Sequence, residues 1–194
     1  MTKLKALLLT QGMHGMISQV EGLAQALNLD YKHQTIKLKK FWNYIPPKFT
    51  PISDNILSEK FVCNAKVIIS CGRKSVIPSI ALKNKFGKDI LNIHIQDPKV
   101  RLSNFDFIVA PKHDGLKGEN VLTSKGAIHY LTSEELDYNK DYLKSKINNK
   151  KKKVALIIGG PNKYYDYSNK AIDNIFLKIK QGFLEKNYQL IVVP

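Results

Sequence analysis

Two glycine-containing segments could bind an anion. Gly12 and Gly15 lie in a turn-rich loop that joins a predicted strand to a predicted helix, and Cys71–Ser75 reads CGRKS in the same kind of position. Glycine lets a backbone approach a ligand, and the start of a helix favours a negative charge. Arg73 adds a fork of donors and Lys74 a point charge, which suits phosphate or carboxylate. The alternatives are a tight strand–helix turn for the first segment and a solvated basic loop for the second.

Two further segments carry groups that could move a proton. Asp97 lies in a Gln-Asp-Pro segment, and His113 and Asp114 lie in a His-Asp-Gly segment. Carboxylates and imidazoles are common proton-transfer groups, so the two segments could converge on one cleft. The alternative is separate turn chemistry, because Asp-Pro and Asp-Gly are turn formers. His33, His94 and His129 have no comparable setting and are interpreted as structural, whereas His14, in the first of the glycine-containing loops, is a candidate.

A third pair of glycines follows a predicted strand late in the chain. Gly159 and Gly160 come directly after the apolar run Val154–Ile158. Their backbone N–H groups could hold a phosphate. Pro161 removes one such donor, which weakens the pattern.

Alternating strands and helices must position these loops. Apolar runs and helical spacing predict a doubly wound α/β domain with a mainly parallel sheet, in which ligands bind at the loops after strands. Ser75 is a predicted helix cap and Gly87 a predicted helix end. Residues 41–51 hold three prolines and several aromatic residues, which predicts a loop. The predicted strands are 6–9, 33–38, 67–70, 90–95 and 107–110, with helices over 17–27 and 75–86.

The composition changes near residue 144. Residues 144–153 hold six lysines and are interpreted as a solvated linker, with a membrane-surface patch as the alternative. The chain is therefore divided into a Rossmann-like domain over 1–148 and one βαβ unit of a second, incomplete Rossmann-like domain over 149–194. About 40 residues cannot cover both faces of their own sheet, which favours a fragment of a longer protein. The alternative is that this unit docks onto the first sheet.

The overall charge favours acidic partners. The 194 residues carry 31 Lys and Arg against 16 Asp and Glu, a net charge of +15. Such a field suits nucleotides, anionic membranes or nucleic acid, although a nucleic-acid partner is disfavoured because no aromatic platform or helix-turn-helix pattern accompanies it. Cys63 and Cys71 are predicted to be buried free thiols, and no zinc ligand set is present. With no signal peptide or long apolar run, the expected location is cytoplasmic, with peripheral association at the inner membrane as an extension of this expectation.

Several stretches carry a resemblance to a known family. Residues 11–27, QGMHGMISQVEGLAQAL, and residues 71–129 resemble the elongated-mitochondria (mitochondrial fission) family of bacterial and plant proteins. The second stretch contains Gly-Arg-Lys, Gln-Asp-Pro, Phe-Asp and Pro-x-His-Asp elements in the family's order and spacing. Residues 154–165, VALIIGGPNKYY, resemble the start of the family's second half.

The resemblance implies a GT-B-like architecture, in which two Rossmann-like domains face each other across a cleft, as in nucleotide-sugar glycosyltransferases. It implies no resident metal and no cofactor, since the nucleotide-sugar is a substrate. His14 departs from the family pattern, so no catalytic role is transferred to it. The positions that match the family's markers are Gly12, Gly15, Gln19, Gly72, Arg73, Lys74, Gln96, Asp97, His113, Asp114, Gly159 and Gly160.

On this resemblance, the chain is expected to be part of a glycosyltransferase that moves a sugar from a nucleotide donor to an envelope polysaccharide or lipid-linked acceptor. Arg73 and Lys74 would hold an acidic acceptor or a diphosphate, and Gly159 and Gly160 would approach the donor phosphates. Asp97, or the pair of His113 and Asp114, would be the general base. The alternative is a non-enzymatic adaptor on a membrane surface, because plant members are associated with recruiting a dynamin-related protein to mitochondria.

Overall fold

The computed structural model describes residues 3–60, 62–87, 89–142, 144, 147, 150–159 and 166–193. The chain forms two compact units, residues 1–131 and 132–194. The predicted boundary between residues 148 and 149 stays a prediction.

The first unit is built on a six-stranded sheet in which every neighbouring pair of strands is parallel, in the order β2-β1-β3-β4-β5-β6. This confirms the predicted Rossmann-like α/β domain. The chain order reverses between β1 and β3, the place where such sheets open a crevice for ligands. The elements are β1 (Lys5–Thr10), α1 (His14–Ala26), β2 (Asp30–Thr35), β3 (Val67–Cys71), α2 (Val76–Phe86), β4 (Leu91–Ile95), β5 (Phe107–Pro111) and β6 (Val121–Ser124).

Both faces of this sheet are covered, which explains why its inner strands read as continuous apolar runs. Alternate residues of a strand point to opposite faces. Leu8 and Ile69 therefore pack in one cluster with Val20 and Ala24 of α1. Their neighbours in the strands pack in a second cluster with α2, where Ile80 is 1% exposed. The sheet is thus fixed between two helices, and its strand ends form a rigid edge.

The two ends of α2 differ in how well the sequence predicted them. Gly87 ends the helix with φ +90°, as predicted. Ser75 stands at the position before the helix, but its hydroxyl makes no capping bond. It donates instead to the carbonyl oxygens of Cys71 at 2.9 Å and Gly72 at 2.7 Å. The capping prediction is wrong because residues 73–75 already form a 3-10 turn that directs the hydroxyl back into the loop.

The second strand lies three residues earlier than predicted. The sequence favoured residues 33–38, where Ile36 and Leu38 alternate with lysines, but the strand is Asp30–Thr35. Its register is set by β1, since Lys5 pairs with Asp30 and Thr10 with Thr35. Ile36 then enters the core, and Leu38 forms an antiparallel bridge with Leu57. Residues 40–56 make three short 3-10 turns, in agreement with the predicted loop.

Two elements had no sequence prediction. β6 is four residues long and half exposed, so it lacks the apolar run that marks the inner strands. The second is α3 (Ser133–Asn139), which begins with a capping box between Thr132 and Glu135. The Thr-x-x-Glu spacing is a sequence signal for a helix start, but no apolar periodicity accompanies it.

The second unit contains α3, β7 (Lys153–Ile157), α4 (Asn169–Gly182) and β8 (Gln189–Val193). β7 and β8 pair in parallel as a separate two-stranded sheet. The predicted strand, helix and strand are therefore present. No residue of this unit within the described ranges is buried, whereas the first unit contains the core, including the free thiols of Cys63 and Cys71 that the sequence predicted.

Candidate functional site

The loops after the parallel strands share one edge of the first sheet, and three of them turn through a positive φ directly after the strand or one residue later. Gly12 follows β1 with φ +83°, and Gly72 follows β3 with φ +90°. The third is Gln96, which follows β4 with φ +83°. Two of these turns use the residue that tolerates such a backbone, and one retains a long side chain.

A cleft of about 430 Å³ opens at this edge, within the first unit. Five of the residues predicted from the sequence line it, so the expected convergence of the Gln-Asp-Pro and His-Asp-Gly segments takes place. The cleft is lined by Gln19, Gln96, Asp97, Lys99, Pro111, His113, Asp114 and Ala127.

Asp97 is held as a carboxylate inside this cleft. Its side chain is 19% exposed, and its two oxygens accept hydrogen bonds from the backbone N–H of Lys99 at 2.9 Å and the ammonium of Lys99 at 2.5 Å. Burial by itself would raise the pKa of Asp97. The hydrogen bonds and charge of Lys99 outweigh burial and leave that pKa below its ordinary value. Asp97 is therefore an ionised hydrogen-bond acceptor at neutral pH.

The backbone around Asp97 is strained. Gln96 has φ +83° and Lys99 has φ +57°, a region that costs an L-residue about 1–2 kcal/mol. The N–H of Gln96 donates to the carbonyl of Val109 at 2.8 Å, which ties this turn to β5. Such strain concentrates at functional sites, because the surrounding structure must maintain it. The strain therefore singles out residues 96–99 among the strand ends.

A His–Asp pair completes the cleft. The Nε2 atom of His113 lies 3.4 Å from Oδ1 of Asp114, and the His113 side chain is 75% exposed. Asp114 also acts on Lys99, whose pKa is raised first by Asp97 and further by Asp114. The ammonium of Lys99 thus bonds Asp97 and is also stabilised by the charge of Asp114. A carboxylate beside an imidazole can orient the ring for proton transfer.

His94 lies beneath the strained turn and has a structural position. It is 1% exposed, its Nδ1 atom is 2.8 Å from the hydroxyl of Ser70, and its ring packs against Phe105. Burial lowers the pKa of His94 from 6.5 to about 3, although the charge of Asp97 opposes the shift. The imidazole is therefore neutral in the folded protein at pH 7, in agreement with the structural role interpreted from the sequence.

The residues of the Gly-Arg-Lys segment are not among those that line the cleft. A Cβ atom on Gly72 would lie 2.6 Å from Sδ of Met16 and 2.7 Å from Nε2 of Gln11, so this turn packs tightly against the first loop. The guanidinium of Arg73 donates from Nη2 to the carbonyls of Asn43 at 2.8 Å and Ile45 at 3.2 Å. Lys74 is half-buried.

The other predicted glycines have separate settings. The N–H of Gly12 donates to the hydroxyl of Thr10 at 3.0 Å. Gly15 lies in the first turn of α1, where its carbonyl accepts from the amide of Gln19 at 3.1 Å. Gly159 is exposed after β7 in the second unit, and Gly160 lies outside the described residues.

Lys99 and Ala127 are site residues that the sequence did not predict. Lys99 had a signal, because an aspartate that bonds the N–H two residues later is a recurrent turn, and here that residue is a lysine. Ala127 had none, since its position depends on the packing of a loop against the cleft.

Metal-binding clusters and membrane-spanning helices are both absent from the described part of the chain. No group of three or more His, Cys, Asp or Glu side chains there is placed to hold a metal ion. None of the helices found within those residues has the length and apolar content needed to cross a membrane.

Comparison with known proteins identifies a family. The model of a family described as Mitochondrial fission ELM1 matches residues 14–194. The matched range includes every residue that lines the cleft. No curated protein and no solved structure was found to match.

Proposed function

The chain belongs to the mitochondrial fission ELM1 family, and from this premise we propose that residues 3–131 form the acceptor-binding part of a glycosyltransferase. The enzyme moves a sugar from a nucleotide donor to a hydroxyl of an envelope polysaccharide or lipid-linked glycan, at the cytoplasmic side of the membrane. The observation that carries the proposal is the cleft in which Asp97, His113 and Asp114 meet beside a strained turn.

The reaction needs a base for the acceptor hydroxyl. The bond between the anomeric carbon and the donor phosphate breaks, a bond from that carbon to the acceptor oxygen forms, and the hydroxyl proton passes to the enzyme. His113 suits this step, because Asp114 can orient its imidazole and its exposure lets it reach a bound acceptor. Asp97 suits a different task, since a carboxylate with a lowered pKa is a weak base but a good acceptor of a hydroxyl hydrogen bond.

The amides of the cleft supply the remaining contacts with a sugar. Gln19 and Gln96 each offer donors and an acceptor, which is the combination that sugar hydroxyls require. The strain at Gln96 supports this role, because a glycine would relieve the backbone but remove the amide. A volume of about 430 Å³ is within the usual range of small-molecule sites.

The remaining predicted contacts belong to the same proposal. Lys74 and the N–H groups of Arg73 that do not bind carbonyls are expected to attract an acidic acceptor or a diphosphate. Gly159 and Gly160 are expected to approach the donor phosphates.

The proposal is tested with the intact protein, a panel of radiolabelled nucleotide-sugars and envelope glycan acceptors. The variant His113→Gln should lower kcat by a factor of about 100 or more, because the base is lost. Asp97→Asn should mainly raise the KM for the acceptor, because the hydroxyl loses a charged hydrogen-bond partner.

Asp30→Asn is the matched control, since it changes an exposed aspartate at the start of β2, at the opposite edge of the sheet. It should transfer sugar at the wild-type rate. Equal rates in all four proteins, or no transfer from any donor, would overturn the proposed function.

A membrane-surface adaptor is the second candidate. The family description names mitochondrial fission, and Ile157 and Leu177 of the second unit are 76% and 51% exposed, as side chains at a partner interface often are in a free subunit. Replacing Lys150–Lys153 by glutamate should abolish recruitment of a partner by an adaptor and leave transfer to soluble acceptors intact. An adaptor should also tolerate His113→Gln, which a transferase cannot.

A further inference from the structure

A second cavity in the first unit is larger than the cleft and has a different chemistry. It encloses about 610 Å³ between the turn region of residues 47–52, the start of α2, and the loop of residues 99–104. Such a volume is typical of small-molecule sites. We call this space the basic cavity.

Positive charge surrounds the basic cavity. Lys48, Lys99 and Arg101 line it, and none of the described residues in its wall is acidic. The turn region and the sequence before it have the same character, because residues 31–53 hold five lysines and no Asp or Glu. Arg101 supplies a fork of donors and Lys48 a point charge, which together suit a phosphate or diphosphate.

The rest of the wall is apolar. Pro47 and Ile77 are buried behind the cavity surface, and Val100 packs against the core. Ile52 lines the cavity and is 48% exposed, so its apolar side chain is accessible both from the cavity and from solvent. Tyr44 comes shortly before this turn region and Phe49 lies on it, and their exposed fractions are 83% and 71%. An anion that carries an apolar chain would satisfy both parts of this surface.

The wall that bears these residues is held in place. Arg73 binds the carbonyls of Asn43 and Ile45, and the hydroxyl of Thr50 donates to the carbonyl of Pro46 at 3.0 Å. A site whose walls are fixed before binding loses less conformational entropy when the ligand arrives. Arg73 therefore acts here through the wall it fixes.

We propose that the basic cavity binds a phosphate or diphosphate ester that carries an apolar chain. The charged head binds Lys48 and Arg101, and the chain runs over Ile52 toward the exposed aromatic side chains. Lys99 lines both the basic cavity and the cleft, so a head group here lies beside the residues assigned to the acceptor. The inference deepens the proposed function and rests on it for that link.

The test is a calorimetric titration of the full chain with three probes: geranyl diphosphate, inorganic pyrophosphate and geraniol. Geranyl diphosphate should bind at least about tenfold more tightly than pyrophosphate, because its chain buries apolar surface. Geraniol should bind at least about tenfold more weakly than geranyl diphosphate, because it lacks the charged head.

Variants locate the site. Lys48→Ala combined with Arg101→Ala should weaken geranyl diphosphate binding by a factor of about 10 or more. Lys117→Ala combined with Lys125→Ala removes the same charge from two exposed positions of the first unit, and should change binding by less than about threefold. Ile52→Ser should leave pyrophosphate binding unchanged and reduce the preference for geranyl diphosphate.

Three results would overturn the inference: no binding of geranyl diphosphate, equal affinity for geranyl diphosphate and pyrophosphate, or an equal loss of binding in the two double variants.

A vesicle experiment distinguishes a membrane lipid from a dispersed molecule as the source of the ligand. If the ligand is a membrane lipid, the protein should sediment with phosphatidylcholine vesicles that contain phosphatidic acid, and this sedimentation should need Lys48 and Arg101. Binding of geranyl diphosphate without pelleting assigns the site to a dispersed ligand. The titration measures binding and not sugar transfer. If geranyl diphosphate binds as expected but the transfer assay shows no activity, only the proposed transferase function is overturned.

Discussion

Two turns lie at the same edge of the sheet, the Gly72 turn (residues 72–75) and the Gln96 turn (residues 96–99). Both require a positive φ at their first residue, and they place different residue types there. Each leaves a buried strand through a positive φ. In the Gly72 turn a glycine takes that backbone, and the polar groups of Arg73 and Ser75 bind carbonyls of the protein. In the Gln96 turn a glutamine takes it, and the side chains line a cleft.

This difference distinguishes a turn that stabilises the fold from a turn whose side chains are available to a ligand. Both turns hold a cation, but Arg73 is bound to backbone carbonyls of residues 43 and 45, whereas Lys99 holds a carboxylate at the cleft. Strain that glycine could relieve persists only in the second turn. A residue type that costs stability where it stands is an indication that its side chain is used.

The largest effect on stability is expected for Gly72→Ala. The backbone at φ +90° and ψ 157° is a region that only glycine populates readily, and the new Cβ atom would overlap Met16 and Gln11. The free energy of unfolding should fall by about 2–4 kcal/mol, as measured by urea denaturation. Gly15→Ala is the control, because it meets open space in a helix and should raise stability by up to about 1 kcal/mol. Equal stabilities of the two variants would remove the structural interpretation of the Gly72 turn.

An intermediate effect is expected from pH, through His94 beneath the Gln96 turn. Its pKa is about 3 when folded and 6.5 ordinarily, so the unfolded chain binds the extra proton between these values. The contribution of the neutral His94 to the free energy of unfolding is therefore complete above pH 6.5 and is lost as the pH falls toward 3. Between pH 7 and pH 5, loss of this contribution should lower the free energy of unfolding by about 1–2 kcal/mol. The partly buried His33, whose pKa burial also lowers against the charge of Glu21, should add in the same direction.

The measurement is chemical unfolding across this pH range in His94→Gln and in His129→Gln, which changes an exposed histidine. The slope of stability against pH should become shallower only in His94→Gln. A wild-type slope in that variant would contradict a buried neutral imidazole, whatever its absolute stability.

The smallest effect on stability, and the sharpest distinction, is expected for Gln96→Gly. Glycine relieves the positive φ but gains freedom in the unfolded chain, so stability should rise by no more than about 1 kcal/mol. Gln96→Ala retains the strain and should not gain stability. Both variants should lose acceptor affinity in the transfer assay. If Gln96→Gly instead unfolds more readily than the wild type, the side chain is structural and the two turns do not differ in kind.

The sequence predicted the parts of the fold that depend on local pattern. The apolar run at residues 67–70 is a buried strand, and Gly87 ends a helix through its positive φ. β6 was not predicted because a short edge strand needs no apolar run, and β2 was displaced because its register depends on β1. In the site, the parallel strands indicated that Asp97 and His113 could share a cleft, and the structure favours this over the alternative of separate turns.

The alternation of strands and helices, and the polar segments that follow the strands, are encoded locally in the sequence, because burial on both faces requires apolar runs and exposes the loops between them. The partners of each polar side chain, in contrast, follow from the folded arrangement. Arg73 finds its carbonyl partners about thirty residues earlier in the chain, and the N–H of Gln96, at its positive φ, donates to the carbonyl of Val109 in another strand. Such assignments depend on contacts between residues distant in sequence, which local spacing does not encode.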